Sequence, residues 1–192
     1  EARNDGFFPL QCAGSNGDRV VTVTLPEGEV EIFRAKAEPE CGEGFTAQTR
    51  VQMVFEPIDD THATLEQSTY GLLAIATTAG SGVYNMVDPE QPNEPADPRL
   101  YRLTTPEGLV YELDQNFGIR RVIEPGGQSL TYSTTGVVHT SGVGIQFVRD
   151  PQGRIRDLVL PDGGIVSYVY TASGDLDSVR DPVDQTTRYT YG

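Results

Sequence analysis

The hydrophobic positions of this chain follow a short pattern that recurs along most of its length. An aliphatic residue, two other residues, a second aliphatic residue and two more residues lead to a proline. The pattern occurs seven times, as VVTVTLP (20–26), VQMVFEP (51–57), LYRLTTP (100–106), IRRVIEP (119–125), IQFVRDP (145–151), IRDLVLP (155–161) and LDSVRDP (176–182). Such recurrence is typical of repeat architectures, in which each unit stacks on its neighbours.

Each proline opens a predicted turn. Five copies carry glycine two residues after the proline, at Pro26 and Gly28, Pro106 and Gly108, Pro125 and Gly127, Pro151 and Gly153, and Pro161 and Gly163. Proline fixes φ, and glycine adopts the positive φ that most residues resist, so Pro-x-Gly is typical of a tight turn. The copies at Pro57 and Pro182 carry Asp59 and Asp184 instead. Aspartate tolerates positive φ better than most side chains, so turns are expected there as well.

A strand is expected to return after each turn. Aromatic residues stand seven or nine positions after the proline, at Phe33, Tyr132, Tyr168, Tyr170, Tyr189 and Tyr191. Tyrosines two residues apart share a face of a strand, and the surrounding Val and Thr favour β-structure. No stretch shows a sustained helical period with caps. The pattern therefore predicts an all-β fold of tandem antiparallel β-hairpin repeats.

The spacing of the aliphatic residues leaves one alternative open. Residues i and i+3 lie on opposite faces of a flat strand. Either these strands are buried on both faces, or a β-bulge brings both aliphatic residues to one face.

One segment suggests a boundary in the chain. The stretch DPEQPNEPADP (88–98) contains four prolines and no aliphatic residue larger than alanine. It disfavours helix and central strand, and we expect an exposed loop there. It would separate an irregular N-terminal β region with degenerate repeats, 1–98, from regular repeats at 99–192.

The charge of the chain excludes some partners. The formal net charge is −14, and residues 1–98 hold 17 acidic against 5 basic residues, whereas residues 99–192 hold 11 against 9. An acidic surface repels phosphate backbones and anionic membrane surfaces, so neither nucleic-acid binding nor membrane binding is expected. No apolar run reaches the roughly 18 residues of a membrane helix, so membrane insertion is not expected. The chain begins EARNDG without methionine, which suggests a mature or excised segment.

Candidate chemistry is sparse. The two histidines, His62 and His139, have no metal-ligand spacing, and the common nucleophile, zinc and phosphate-loop motifs do not occur. Carboxylate pairs stand at Glu29 and Glu31, Asp59 and Asp60, and Asp175 and Asp177. Such pairs suit glycoside hydrolysis or a calcium site, but solvated surface charges explain them more simply. We therefore predict no catalytic residues, no cofactor and no metal site.

The two cysteines leave a further alternative. Cys12 and Cys41 form a candidate disulfide that would close the N-terminal region, or they are two free thiols. Neither lies in a zinc-binding or redox motif.

The end of the chain resembles a known repeat family. Residues 149–192 read RDPQGRIRDLVLPDGGIVSYVYTASGDLDSVRDPVDQTTRYTYG, and YVYTASG and YTYG stand where RHS repeats, also called YD repeats, end each unit. The resemblance is clear over 100–192 and weaker over 19–57, and Tyr-Thr replaces the usual Tyr-Asp at 170–171. Residues 58–98 match no repeat.

The resemblance implies a curved or spiralling sheet. RHS/YD repeats form hollow β-shells in bacterial polymorphic toxins, insecticidal toxin complexes and teneurins. The chain would then be a non-enzymatic shell segment, secreted or at the cell surface, where an exported protein is free to form disulfides. Its partners would be the rest of its own repeat chain and an encapsulated C-terminal domain. The family's self-cleavage segment has no counterpart here.

Three other functions remain open. The tyrosine-bearing strands could form a carbohydrate- or receptor-binding module. A carboxylate dyad could make the chain an enzyme. Open sheet edges could join identical copies into a homo-oligomer or filament.

Overall fold

The computed structural model describes residues 19–38, 50–77 and 84–191. Cys12 and Cys41, the candidate disulfide, lie outside the described residues, as does Gly192. Within the described ranges the chain forms seventeen strands and no helix. The strands are β1 (Val20–Thr24), β2 (Val30–Glu38), β3 (Arg50–Ile58), β4 (Thr64–Gln67), β5 (Leu73–Thr77), β6 (Tyr84–Asp88), β7 (Gln91–Pro95), β8 (Leu100–Thr104), β9 (Val110–Asp114), β10 (Gly118–Ile123), β11 (Ser129–Ser133), β12 (Gly136–His139), β13 (Gly144–Arg149), β14 (Ile155–Val159), β15 (Ile165–Tyr170), β16 (Leu176–Arg180) and β17 (Thr186–Arg188).

The prediction of an all-β fold made of antiparallel hairpins is confirmed. All strand pairs with a described register are antiparallel, and most join strands that are consecutive in the chain. The chain divides into two compact units, Glu1–Gly118 and Ile119–Gly192. This boundary lies downstream of the 98/99 boundary expected from the sequence.

The N-terminal unit contains two groups of strands. A six-stranded sheet has the order β1-β2-β3-β5-β6-β7, and β4, β8 and β9 form a second antiparallel group in the order β4-β8-β9. The strands β3 and β8 meet where the rings of Phe55 and Tyr101 pack edge to face, with centroids 5.8 Å apart. Strand β4 follows β3 in the chain but pairs with β8, so a non-local pairing joins this group.

The buried core of the described residues lies in this N-terminal unit. One cluster forms around Val51, Met53, Leu73 and Ala96. Elsewhere in the unit, Phe33 and Leu103 are completely buried. Burial of such side chains contributes about 1.5–3 kcal/mol each, so this core is the main apolar source of the unit's stability.

The proline-rich segment differs from the expected loop. Residues Gln91–Pro95 form β7, which pairs with β6 at the edge of the six-stranded sheet. All five residues are exposed. Proline is compatible with an edge strand because one side of such a strand faces solvent. A proline whose missing N–H would lie on that side removes no hydrogen bond from the sheet. The expectation that this segment avoids a central strand agrees with its edge position.

The C-terminal unit is an antiparallel meander from β10 to β17. Each strand pairs with the next one in the chain. The short connections between neighbouring strands make this order local, so the sequence can specify it through its turns.

Eight of the hairpin turns share one hydrogen-bond pattern. In the first of them the N–H of Leu25 donates to the carbonyl of Glu29, and the N–H of Gly28 donates to the carbonyl of Leu25. This pattern is that of a three-residue loop with a type I turn followed by a bulged residue at positive φ. It recurs in seven further turns, which begin at Thr105, Glu124, His139, Asp150, Leu160, Thr171 and Asp181.

The predicted turn residues lie in these loops. Six of the eight turns have proline at their second position, namely Pro26, Pro106, Pro125, Pro151, Pro161 and Pro182. The glycines at the fourth position of the five Pro-x-Gly turns, Gly28, Gly108, Gly127, Gly153 and Gly163, all have φ between 80° and 92°. The copy at Pro182 uses Asp184 there, with φ 69°.

The copy at Pro57 does not form a hairpin. Pro57 lies within β3, opposite Phe33 of β2. Asp59 does adopt positive φ, 55°, in a turn that follows β3. That turn leads to β4, which pairs with β8, so this copy joins two strands that are not partners.

Positive φ at Gly163 gives a first prediction. We expect Gly163→Ala to lower the free energy of unfolding by about 1–2 kcal/mol, because a Cβ is unfavourable in the left-handed region. No atom lies within 4 Å of the position of that Cβ, so the cost is conformational and not steric. Urea unfolding followed by circular dichroism measures it. Gly163→Asn is the control and should recover most of the loss, because asparagine tolerates positive φ; equal losses for both variants would contradict the prediction.

Two β-bulges decide how the aliphatic pairs are oriented. In β14, Ile155 lies opposite Arg149 and Asp157 lies opposite Val148, so Arg156 is an extra, unpaired residue. Leu158 then lies opposite Phe147, two residues from the partner of Ile155. The bulge therefore puts the two aliphatic residues of the unit on the same face.

The same bulge recurs one repeat later. Leu176 lies opposite Tyr170 and Ser178 lies opposite Val169, which leaves Asp177 unpaired. Val179 lies opposite Tyr168. In these two repeats, a β-bulge brings both aliphatic residues of the unit to one face, which is the second of the two alternatives that the sequence left open.

Candidate functional site

The register of the C-terminal unit gathers its aromatic side chains on one face. Residues directly opposite one another in a ladder share a face, as do residues two apart on a strand. Following these pairs from β11 to β17 gives one continuous set, which we call the aromatic face: Tyr132, Phe147, Tyr168, Tyr170, Tyr189 and Tyr191, interleaved with Leu130, Val137, Ile145, Ile155, Leu158, Val166, Leu176 and Val179. Five of the six predicted repeat aromatics belong to this face. The sixth, Phe33, is buried in the N-terminal unit.

The hydroxyls of two tyrosines of the aromatic face donate hydrogen bonds to backbone carbonyls next to the bulges. The hydroxyl of Tyr170 donates to the carbonyl of Ile155 at 2.7 Å, and the hydroxyl of Tyr191 donates to the carbonyl of Leu176 at 2.8 Å. Each acceptor immediately precedes a bulged residue, where the regular ladder is interrupted. The second tyrosine of each YxY sequence therefore satisfies a carbonyl that the bulge leaves out of the ladder.

This contact gives a second prediction. We expect Tyr170→Phe to lower the free energy of unfolding by about 1 kcal/mol, because it removes the hydroxyl that binds Ile155. Chemical denaturation at neutral pH measures the change. Tyr168→Phe is the matched control on the same strand, since the structure shows no hydrogen bond from its hydroxyl to a described residue. Equal effects of the two substitutions would show that the Tyr170 hydroxyl has no structural role.

The aromatic face is only partly covered. None of the described hydrophobic side chains of the C-terminal unit is fully buried. Exposure is higher at both ends of the face than in its middle: Tyr132 is 36% exposed, and Tyr189 and Tyr191, which follow β17, are 42% and 63% exposed, while Tyr168 and Tyr170 are half-buried. Cross-strand pairing, and not a packed core, is thus the main source of order in this unit.

Arginines border the aromatic face. The guanidinium of Arg154 lies 4.2 Å from the ring centroid of Tyr170, and that of Arg149 lies 6.0 Å from the ring centroid of Phe147. Both distances fall within the range of cation–π attraction. Arg154 also binds Asp150 at 2.8 Å, which fixes the guanidinium beside the ring.

Aspartates in the Asp-Pro sequences hold the turns. Asp150 accepts hydrogen bonds from the N–H groups of Gln152 and Arg154, and Asp181 accepts them from Val183 and Gln185. Burial by itself would raise the pKa of Asp150, but the hydrogen bonds from the Arg154 side chain and from the backbone lower the pKa overall. The aspartate of each Asp-Pro pair is a turn residue that our sequence analysis did not identify, although its position before proline is a signal for it.

The lowered pKa of Asp150 gives a third prediction, on pH dependence. A carboxylate with a folded-state pKa below its unfolded value of about 3.9 stabilises the fold above that value and loses this contribution as the pH falls through the folded pKa. We expect Asp150→Asn to be less stable than the original chain at pH 7, with the difference shrinking below about pH 4. Urea unfolding at several pH values measures this. Asp162→Asn, at an exposed turn position, is the control; a difference independent of pH would contradict the prediction.

The candidate catalytic groups lie in separate turns. Nδ1 of His62 is 2.6 Å from the carbonyl oxygen of Asp60, and Nδ1 of His139 accepts the N–H of Ser141 at 3.1 Å. Both contacts are local, within two residues.

In two of the three carboxylate pairs, the two carboxylates lie in different surroundings. Glu29 is exposed, whereas Glu31 is 3% exposed and one of its carboxylate oxygens has no hydrogen-bond partner among the described residues. Asp175 lies in a turn and accepts the hydroxyl of Ser173, while Asp177 is the bulged residue of β16. Asp59 and Asp60 are exposed in the turn after β3.

The described ranges contain neither a cluster of metal-binding side chains nor a helix of membrane-spanning length. No group of three or more His, Cys, Asp or Glu side chains there could hold a metal ion. No helix there is long and apolar enough to span a membrane.

Our sequence analysis did not predict which residues complete the aromatic face. Phe147 was assigned no special position, and Leu158 was identified only as the second aliphatic residue of its unit, because the face that they share depends on strand register. The bulges that align them leave no clear signal beyond the i, i+3 spacing of the aliphatic residues.

Comparison with known proteins gives no family assignment. No protein-family model matches the chain, and no curated protein matches it significantly.

Proposed function

We propose that this chain is a non-enzymatic structural segment of an RHS-type β-shell. In this proposal the hairpin array is part of a wall, and it encloses or displays another part of the same parent protein, secreted or at the cell surface. The observation that carries the proposal is the recurrence of one hairpin unit with the same turn bonds, the same bulge and the same tyrosine-to-carbonyl bond.

The partial exposure of the aromatic face supports the proposal that the C-terminal unit is part of a shell wall. A sheet with an apolar face needs another layer against that face for independent stability. The C-terminal unit has an aromatic face whose hydrophobic side chains are all at least partly exposed. A polypeptide enclosed by the shell would supply the missing cover.

Protease protection in the parent protein tests this proposal. We expect the enclosed segment to survive limited proteolysis while exposed connections are cut. Gly136→Ala, which should open the β12–β13 pair, is expected to make the enclosed segment sensitive; Gly126→Ala, at an open turn position, should leave it protected. Equal digestion of the enclosed segment in the original protein and in both variants would refute the shell.

A second candidate function rests on the exposed tyrosines. Tyr189 and Tyr191 lie on the same face and expose 42% and 63% of their surface. Aromatic rings presented in this way can stack on the apolar faces of sugars. A glycan array followed by titration of any bound oligosaccharide tests this function: Tyr191→Ala should abolish binding and Tyr168→Ala should preserve it. Absence of any glycan signal would leave the structural proposal alone.

A further inference from the structure

The outer edge of β17 is the site of a further inference. In the described part of the chain β17 pairs only with β16. Thr187 and Tyr189 use their backbone groups toward β16, since the N–H of Tyr189 donates to the carbonyl of Asp177 at 2.9 Å. Because backbone groups alternate in direction along an antiparallel ladder, the N–H and C=O groups of Thr186 and Arg188 point away from β16.

The preceding repeat shows what occupies this edge elsewhere. β15 is the equivalent tyrosine-bearing strand, and its outer edge pairs with β16, an aliphatic strand. There Val179 lies opposite Tyr168 and Leu176 lies opposite Tyr170. Those two tyrosines are half-buried, whereas Tyr189 and Tyr191 are exposed. Among the described residues, no aliphatic strand lies beside Tyr189 and Tyr191 in the way that β16 lies beside Tyr168 and Tyr170.

The chain carries a matching strand at an open edge. Strand β1 has the same sequence unit as β16, with Val23 three residues before Pro26, as Val179 is three residues before Pro182. In the described residues β1 pairs only with β2 and lies at the end of its sheet. The carbonyl of Arg19 accepts from Ala35, which places the N–H and C=O of Thr22 on the outer side of β1.

We propose that β17 of one molecule pairs with β1 of a second copy, antiparallel and head to tail, with Tyr189 opposite Val23. This pairing continues the alternation of aliphatic and aromatic strands from β16 and β17 into β1 and β2 of the next molecule, where Phe33 is the aromatic residue of β2. It is a heterologous contact, so each copy keeps one free edge and larger assemblies or rings can form.

Charge favours this pairing over contact between two β1 edges. Residues 1–118 carry nearly all of the net charge of −14, because residues 119–192 hold seven arginines against eight acidic residues. A β1–β1 contact brings two strongly acidic halves together, whereas a β17–β1 contact brings a nearly neutral half to an acidic one. Added salt should strengthen the association by screening the remaining repulsion.

Proline variants that remove single outward N–H groups test the proposal. Thr22→Pro blocks the outer edge of β1, and Arg188→Pro blocks that of β17, while both leave the inner ladder bonds intact. Thr22→Ala and Arg188→Ala are the matched controls, because they change the side chain and keep the N–H. Thr190→Pro blocks the same edge at the next outward N–H, which lies opposite Thr22 in this register, and it replaces Arg188→Pro if that variant fails to fold.

Sedimentation equilibrium over a concentration series gives the readout on the full chain. We expect the original chain and both alanine variants to exceed the monomer mass as concentration rises, and each proline variant alone to stay monomeric. An equimolar mixture of the two proline variants should form a dimer and nothing larger, since only one intact edge of each kind remains. The proposal is overturned if the original chain stays monomeric at all concentrations, if Thr22→Pro alone still associates, or if the mixture fails to dimerise. The result is independent of the shell proposal, which is tested by protection of an enclosed segment.

Discussion

Leu103→Ala is expected to lower the free energy of unfolding by about 2–5 kcal/mol, the range for removing a buried leucine side chain from a packed core. Leu103 is 0% exposed in β8. Its neighbours on both sides are buried as well: Leu65 of β4 and Tyr111 of β9 lie directly opposite it. The substitution therefore leaves a cavity between three strands, and the backbone ladder on both sides limits how far it can collapse.

Chemical denaturation followed by circular dichroism measures the effect of Leu103→Ala. Leu72→Ala is the matched control, because Leu72 is 54% exposed in the same unit and its loss should change stability by less than about 0.5 kcal/mol. Comparable losses in the two variants would mean that the core of the N-terminal unit does not lie where the structure has it.

Gly136→Ala is expected to lower the free energy of unfolding by about 2–6 kcal/mol, the sum of a backbone strain of about 1–3 kcal/mol and overpacking of similar size. Gly136 has φ 153° and opens β12 opposite Gln146 of β13. A Cβ at Gly136 would collide with the carbonyl oxygen of Ile145 and lie 3.2 Å from the Cα of Gln146. These are backbone atoms of the partner strand, so relief requires the two strands to separate.

Gly126→Ala is the control for Gly136→Ala. No atom lies within 4 Å of a Cβ at Gly126, which does not have positive φ. We expect Gly126→Ala to be neutral or slightly stabilising, because alanine restricts the unfolded chain. Hydrogen exchange at β12 and β13 should show that Gly136→Ala opens this strand pair first. Unchanged exchange there, with equal stability of both variants, would contradict the close approach of the two strands.

The hairpin turns were predictable because their chemistry is local. Proline and glycine set the backbone of a loop whose bonds span only four or five residues, so Pro125 and Gly127 form the expected turn. Asp184 has positive φ as its residue type allows. Pro57 shows the limit of this reasoning: the same unit lies within β3, because pairing with β2 and with β5 decides its conformation.

The candidate site was predictable only in part. The alternation of Tyr168 and Tyr170 places both rings on one face of β15, and this follows from the period of a strand alone. That Leu158 and Val179 join the same face depends on bulges at Arg156 and Asp177. The bulges arise from the register of neighbouring strands, so the sequence leaves two alternatives open there.

By itself, the sequence determined that the chain is all-β and that hairpins follow one another. It did so because strand period, turn residues and loop length are properties of a few neighbouring residues. The tertiary structure alone decided which residues are buried. Phe33 and Tyr189 both stand seven residues after a repeat proline, yet Phe33 is completely buried and Tyr189 is exposed. The difference arises because strands distant in the chain, such as β4 and β8, pair and bury side chains in the N-terminal unit, whereas the C-terminal meander contains only neighbour pairs.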